Sequence, residues 1–222
     1  MAHRTDVVVC AHNEEATIAD VVAAVLASPH LDRLILVADW CTDATVSEAV
    51  SAAQVLYHAG HFQAIDALRV IEVNAGDKGS AMAEGLRLVR TPTVAFIDAD
   101  LRGLTTPHVD ALLSLPPRPG MVVGLRDGWP QPLGRFPSLS GERRVPRRLA
   151  EEAGLPGSAW EAEMRINAAC LVAGLPWAHI AMSGVTNPRR NKPEEWGQVA
   201  GAVAKHAGSL VRMLARTRKV KP

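Results

Sequence analysis

Two carboxylates one residue apart, Asp98 and Asp100, follow the short apolar run Val94-Ala95-Phe96-Ile97. Where a chain leaves a buried strand, such a pair can converge on one point. It suits a hard divalent cation that keeps some waters and takes further ligands from a diphosphate. A cation held there acts as a Lewis acid on a departing phosphate oxygen. A third carboxylate, Asp39, follows Leu34-Ile35-Leu36-Val37-Ala38 and can accept hydrogen bonds from a base or a ribose. Lys78-Gly79 offers a cation and an exposed helix N-terminus, both suited to phosphate. Each has a plainer account: a solvated acidic turn, a capping aspartate, a surface lysine. Position along the chain decides between these accounts.

The elements that must position these residues are legible as alternating patterns. Asp6-Val7-Val8-Val9-Cys10-Ala11, Leu34 to Ala38, Leu68 to Val73 and Val94 to Ile97 are short apolar runs, the pattern of strands buried on both faces. Helical spacing lies between them, over Ala16–Leu26, Ala44–Ala53 (with Thr42 or Asp43 available as N-cap) and about Ser80–Val89. Strands alternating with helices predict an α/β fold: a mostly parallel sheet flanked by helices, in a single domain. Every polar cluster falls after a strand's C-terminal end, the edge where open α/β sheets bind ligands. Beyond Asp100 the spacing predicts a helix over Thr106–Leu115 and a strand over Met121–Leu125. A Pro- and Gly-rich loop is expected over 126–142, with helices over Arg143–Ala153 and Trp160–Ala173. A helical C-terminal extension over Glu194–Leu214 precedes a basic end.

At 222 residues, with 48% hydrophobic and 21% charged residues, the chain has the composition of a soluble globular protein. Aromatics at 4% are too few for broad stacking platforms on single-stranded nucleic acid. Three scattered cysteines, Cys10, Cys41 and Cys170, have neither metal spacing nor a disulfide framework. The first residues lack the apolar stretch of a signal peptide, and no run of about 18 apolar residues spans a membrane. The expectation is a cytoplasmic protein with no transmembrane segment. The net charge of +1 is divided unevenly: residues 1–141 hold 10 Lys and Arg against 16 Asp and Glu (net −6), residues 142–222 hold 14 against 7 (net +7). The basic part is either a solvated face or an acceptor side that meets phosphate on a small molecule, a lipid or DNA.

Four of these segments resemble one family. Val8 to Glu15 (VVCAHNEE) is similar to the I-P-A-Y-N-E-E signature of family 2 glycosyltransferases of the GT-A (Rossmann-like) fold. Leu36 to Thr45 resembles their V-V-D-D-G-S-T-D-G-T, Asn74 to Gly85 their N-x-G-K-G-A-A-L-x-x-G, and Phe96 to Leu101 their F-L-D-A-D-L. The motifs occur in order, each after a strand, within residues 7–104. The second half is similar to a soluble bacterial branch close in pattern to glucosyl-phosphoglycerate synthases and polyprenyl-phosphate sugar transferases.

The resemblance implies a nucleotide-sugar donor, commonly with uracil, and a metal, Mn²⁺ or Mg²⁺. Ala11, Asn13, Glu14 and Glu15 would hold the ribose and its surroundings, Asp39 would read the base, and Lys78 would assist there or at the phosphate. Asp98 would contact the ribose or the metal's water shell, with Asp100 the direct metal ligand and Asn187 completing the metal site. Ser140, Gly141 and Glu142 would border the acceptor. Glu163, in a stretch similar to G-x-E-x-x-L-N, would orient the acceptor or act as base, with Glu161 the alternative. Residues 1–125 would be the nucleotide-sugar-binding half and 126–222 the acceptor side. The departures are as specific: Asn187 stands where G-V-x-H usually supplies histidine, Ala38 and Trp40 replace Asp and Gly, and Asp77 adds a charge beside Lys78. No Q-x-x-R-W motif occurs, against a processive polysaccharide synthase. The wider family mostly inverts the anomeric centre while the phosphoglycerate branch retains it, and both outcomes stay open. The competing readings are the same chemistry on hydroxylated DNA, a sugar-phosphate nucleotidyltransferase, and a non-catalytic nucleotide sensor. Asn13-Glu14-Glu15 in place of a glycine-rich phosphate loop argues against the nucleotidyltransferase.

Overall fold

The computed structural model describes residues 4–114, 120–127, 139–155 and 161–187. The expected C-terminal helix over Glu194–Leu214 and most of the expected 126–142 loop lie outside them.

Continuous apolar runs make strands that are covered on both faces, and here they pair in parallel. β1 (Thr5–Ala11) lies between β2 (Leu31–Asp39) and β4 (Thr93–Asp98), and β2 carries β3 (Leu68–Val73) on its outer side. Beyond β4 come β6 (Arg143–Pro146), β5 (Met121–Arg126) and β7 (Trp177–Met182), giving the order β3-β2-β1-β4-β6-β5-β7. Among the described residues only β6 runs antiparallel to its neighbours β4 and β5, so the seven-stranded sheet is mostly parallel.

Alternate side chains of the central strands enter two cores. Val7, Val9, Leu34, Leu36 and Ile97 face α1 (Ile18–Leu26), α2 (Thr45–His58) and α5 (Thr106–Leu113). Val8, Ile35, Val37 and Phe96 face α4 (Lys78–Arg87), α6 (Arg147–Ala153) and α7 (Glu161–Val172). Each fully buried Val, Leu or Ile stabilises the fold by roughly 1.5–3 kcal/mol over its exposed state. Gly85 lets α4 lie close on the sheet, since a Cβ there would come within 2.5 Å of Val8. At the far end of β1 the buried Asp6 carboxylate pairs with Arg33 at 2.6 Å and accepts from the Arg90 amide at 2.6 Å, closing the strand bottoms.

Four elements differ from the sequence-based expectation. The helix expected over Arg143–Ala153 begins only at Arg147, and Arg143–Pro146 is strand β6. Proline disfavours the helical conformation in the residue before it, so Val145 is extended and the helix starts after Pro146. Strand β7 and the one-turn α3 (Ala64–Ala67) were not expected, and α2 continues past Ala53 to His58.

Candidate active site

The C-terminal ends of β1, β2 and β4 open onto one cleft. Its lining includes Ala11, Glu14, Asp39, Lys78, Asp98 and Asp100, six of the residues singled out in the sequence, together with Cys10, His12, Ala81 and Ala99. Burial lifts the Cys10 thiol to about 12, the nearby Lys78 cation offsetting only part of the rise, so this cysteine is a protonated cleft wall.

Asn13 and Glu15 do not line the cleft; they brace it. Asn13 adopts the left-handed region (φ 55°), and its Oδ1 accepts from the Thr42 amide at 2.8 Å. Glu15 Oε2 accepts from the Ala44 amide at 3.0 Å, and the Glu15 amide donates to Asp43. The Thr45 amide donates to Asp43 Oδ1 at 3.0 Å, but the N-cap of α2 is Ala44 and not the expected Thr42 or Asp43, and no side chain caps the helix there. The buried Thr45 hydroxyl, which the sequence reading passed over, accepts from the Glu14 amide at 2.7 Å. These contacts fasten the loop after β1 to the loop after β2 through side chains taken from both motifs.

Asp39 turns one carboxylate oxygen to the Ala75 amide at 2.7 Å, and its carbonyl oxygen lies 2.7 Å from His12 Nδ1. A carbonyl only accepts, so His12 carries its proton on Nδ1. Trp40, next along, is left-handed (φ 49°) and 64% exposed. Asp77, the acidic departure beside Lys78, is the N-cap of α4: its Oδ1 accepts from the Ser80 amide at 2.9 Å. That cap takes up one of the amides a phosphate would use at a bare helix N-terminus.

The Asp98-Ala99-Asp100 turn is pinned from two sides. Thr17 Oγ1 donates to the Ala99 carbonyl at 2.9 Å, and the backbones of Arg102 and Thr186 exchange hydrogen bonds at 2.9 and 3.0 Å. That antiparallel bridge lays the buried Asn187 alongside the turn. The two aspartates then diverge in environment. Asp100 is half-buried at the cleft edge, whereas Asp98 is buried and pairs with Lys78 at 2.7 Å. Lys78 Nζ also reaches Glu163 Oε1, on α7, at 2.7 Å. Burial pushes the Glu163 carboxyl up, but the Lys78 and Arg143 cations outweigh it and hold it below the usual carboxylate range.

Behind Asp98 the segment Ser140–Arg143 is buried. A Cβ on Gly141 would lie 2.4 Å from Asp98 Oδ1, so glycine there admits the carboxylate. Ser140 Oγ donates to Glu142, which pairs with Arg126 at 3.2 Å; burial raises the Glu142 carboxyl, and Arg126 opposes the rise. Arg143, fully buried, donates to the carbonyls of Ser140 and Glu163 and to Asn167 Oδ1 at 2.8 Å. Arg126 was not foreseen as part of the site.

The cleft lining therefore offers the carboxylate oxygens of Asp98 and Asp100, while Asn187, buried next to the Arg102–Thr186 bridge, is not among its lining residues. No group of three His, Cys, Asp or Glu residues able to hold a metal occurs among the described residues. The donor set fits a hard divalent ion that completes its shell with diphosphate oxygens and water, and suits softer metals less.

A strand-end cleft with paired carboxylates on a mostly parallel sheet is the ground plan of enzymes that bind nucleoside diphosphates. Residues 6–139 match the model of glycosyl transferase family 2. The chain belongs to that family and is a glycosyltransferase. No curated protein sequence matches it. Among solved structures it is similar to glucosyl-3-phosphoglycerate synthase from Mycobacterium tuberculosis in complex with Mn²⁺, UDP-glucose and phosphoglyceric acid (22% identity, TM-score 0.67, covering 93% of this chain and 80% of that one). The same enzyme with Mg²⁺ and UDP matches at 21% identity and TM-score 0.63, over 99% of this chain and 81% of that one. These likenesses establish the GT-A fold. Among the described residues no helix is long and apolar enough to cross a membrane.

Proposed function

We propose that the protein transfers a sugar from a UDP-sugar to a hydroxyl of a small phosphate-bearing acceptor, with Mn²⁺ or Mg²⁺ held at Asp100. The observation that carries this is the convergence of four motif-bearing segments on one cleft at the ends of β1, β2 and β4. The mycobacterial neighbours bind UDP or UDP-glucose with a divalent metal, and phosphoglyceric acid or glycerol 3-phosphate besides. Residues 1–125 supply the donor side in this reading, and 126–222 the acceptor side. Three free cysteines accord with a cytoplasmic setting.

The free oxygen of Asp39 accepts a base N–H, Glu14 and the Ala11 backbone hold the ribose, and the Nδ1–H bond fixes His12 as one wall. Asn187 supports the turn that presents Asp100 and can lend its amide oxygen to the ion. When bound, the metal stabilises charge on the leaving diphosphate. The chain's own part is orientation: Thr17 and the Arg102–Thr186 bridge hold the turn so that the Asp100 carboxylate would meet a metal ion without reorganisation. Ser140, Gly141 and Glu142 support Asp98 from behind. Glu163 orients rather than acting as base, since its buried carboxylate is engaged by Lys78 at 2.7 Å.

Asp100→Ala tests the reading. Transfer or hydrolysis of UDP-glucose, followed by mass spectrometry, should fall by about 10²–10³-fold or more. The melting temperature should stay unchanged. Retained turnover would remove Asp100 from the chemistry. Replacing UDP-glucose by GDP- and CDP-sugars in the same assay identifies the base. Pooled acceptors (phosphoglycerates, polyprenyl phosphates, hydroxymethylated DNA) identify the other substrate.

A further inference from the structure

We propose that Lys78 is the resident cation of the Asp98-Ala99-Asp100 site. It keeps Asp98 out of metal coordination, so that a divalent ion is recruited by Asp100 together with the donor diphosphate and binds only weakly on its own. The proposal rests on the reading of the cleft as a metal and nucleoside-diphosphate site.

The geometry behind it is compact. Lys78 Nζ stands 2.7 Å from Asp98 Oδ1 and 2.7 Å from Glu163 Oε1, between two carboxylates whose side chains are 6% and 1% exposed. Asp98 has no retreat from this pair on its far side, because Gly141 is packed so closely that a Cβ would fall within 2.6 Å of both carboxylate oxygens. Lys78 is itself fixed: it is the first residue of α4, a helix whose start Asp77 caps. Glu163 is anchored in turn, with Arg143 donating to its carbonyl oxygen.

A divalent ion coordinated by Asp98 would therefore meet an ammonium group already in contact with the same carboxylate. Like charges that close repel strongly in a partly desolvated site. Asp100 escapes this conflict, being half-buried at the cleft edge two residues further on. A diphosphate changes the balance, since its oxygens accept from Lys78 and bind the ion together. Metal and nucleotide should then bind with positive coupling, each raising the affinity for the other by the same factor. The absence of any three-residue acidic or histidine cluster among the described residues agrees with a site that is incomplete before the nucleotide arrives.

The test is a Mn²⁺ titration of the full chain without nucleotide, read by electron paramagnetic resonance of free Mn²⁺, on wild type and on Lys78→Met, Asp98→Asn, the double variant and Glu163→Gln. Lys78→Met frees Asp98 and should tighten Mn²⁺ binding about tenfold or more. Asp98→Asn alone should change it less than about threefold, because Asp98 is not a ligand while Lys78 holds it. In the double variant the gain should disappear. A gain that persists without Asp98 would mean that the lysine acts only through its field, and the proposal fails. A large loss in Asp98→Asn alone overturns it equally. If Lys78→Met does not fold, Glu163→Gln decides. It removes one of the two carboxylates on Lys78 and ties the lysine more closely to Asp98. Because Asp98 is not a ligand in the wild type, Mn²⁺ binding should change less than about threefold, whereas a loss of about tenfold or more would show that Asp98 ligates the ion and overturns the proposal. A wild-type titration with Mn²⁺ and UDP together separates the two readings. No binding there defeats the cleft assignment itself, while binding there with no Lys78→Met gain defeats only the role of Lys78.

Discussion

The front of the cleft and the cluster behind it use the same residue types differently. In front, Asn13, Glu15, Asp39 and Asp43 each accept from a backbone amide of a neighbouring loop, and all four are half-buried or exposed. Behind, Asp98, Glu142 and Glu163 are buried and answered by Lys78, Arg126 and Arg143. A hydrogen bond near solvent contributes about 0.5–1.5 kcal/mol when neutral, as at Asn13, and about 1.5–3 kcal/mol when it reaches a carboxylate, and each can be lost singly. A buried charge whose partner is removed remains in the interior uncompensated, at about 3–5 kcal/mol. The front should therefore tolerate change one residue at a time, whereas the back should fail as a unit.

The sharpest way to break this contrast is Arg143→Met. Methionine fills much of the volume but leaves the carbonyls of Ser140 and Glu163, and Asn167 Oδ1, without the donor they share. It also removes a cation that helps keep Glu163 ionised. Urea unfolding should show a loss of about 3–5 kcal/mol, the cost of three buried acceptors losing a donor. Asn13→Ala at the front should lose only about 1 kcal/mol. Similar losses at the two positions would end the distinction.

Gly141→Ala is a smaller perturbation at the boundary between the regions. One methyl group added 2.4 Å from Asp98 Oδ1 forces that carboxylate aside and strains its pairing with Lys78. Overpacking of this kind costs about 1–3 kcal/mol. Asp98→Asn/Gly141→Ala should lose less than the two single changes added together, because both act on one contact. Strict additivity would show that Gly141 is not placed there for Asp98.

The two regions also differ in how far the sequence discloses them. The front was legible because each strand is a continuous apolar run followed at once by its polar turn, so the fold's ligand edge and six lining residues could be read in order. The back was not. Arg143-Arg144 followed by helix formers reads as a helix start, and only Pro146 signals the strand. The acceptors of Arg143 come from two separated segments, which no local pattern joins. Glu163 was legible as a site residue, but its pairing with Lys78 spans 85 positions in the chain. Strand β7 was missed because its burial follows no clean alternation, with His179 among its apolar neighbours. The Asp77 cap stood in plain view as an odd charge, and its role appeared only with the geometry of α4.

Trp40→Gly is the smallest change and tests whether the front is as separable as its contacts suggest. The related motif has glycine at this position, and here tryptophan holds a left-handed backbone (φ 49°) with 64% of its surface exposed. For a residue with a Cβ that conformation costs roughly 1–2 kcal/mol. Glycine removes the strain but gives back about 0.5–1 kcal/mol in unfolded-chain entropy. The net expectation is a gain of about 0.5–1 kcal/mol, a rise in melting temperature of roughly 1–4 °C for a chain of this size. Strain kept at a ligand-binding edge calls for a compensating use, and Trp40 directly follows Asp39 at the cleft. Calorimetry should accordingly show UDP binding weakened several-fold in the more stable variant, consistent with loss of one stacking contact of about 1 kcal/mol. A lower melting temperature would mean that the indole packs against the front loops after all. Those loops would then be coupled in the way assigned above only to the buried cluster.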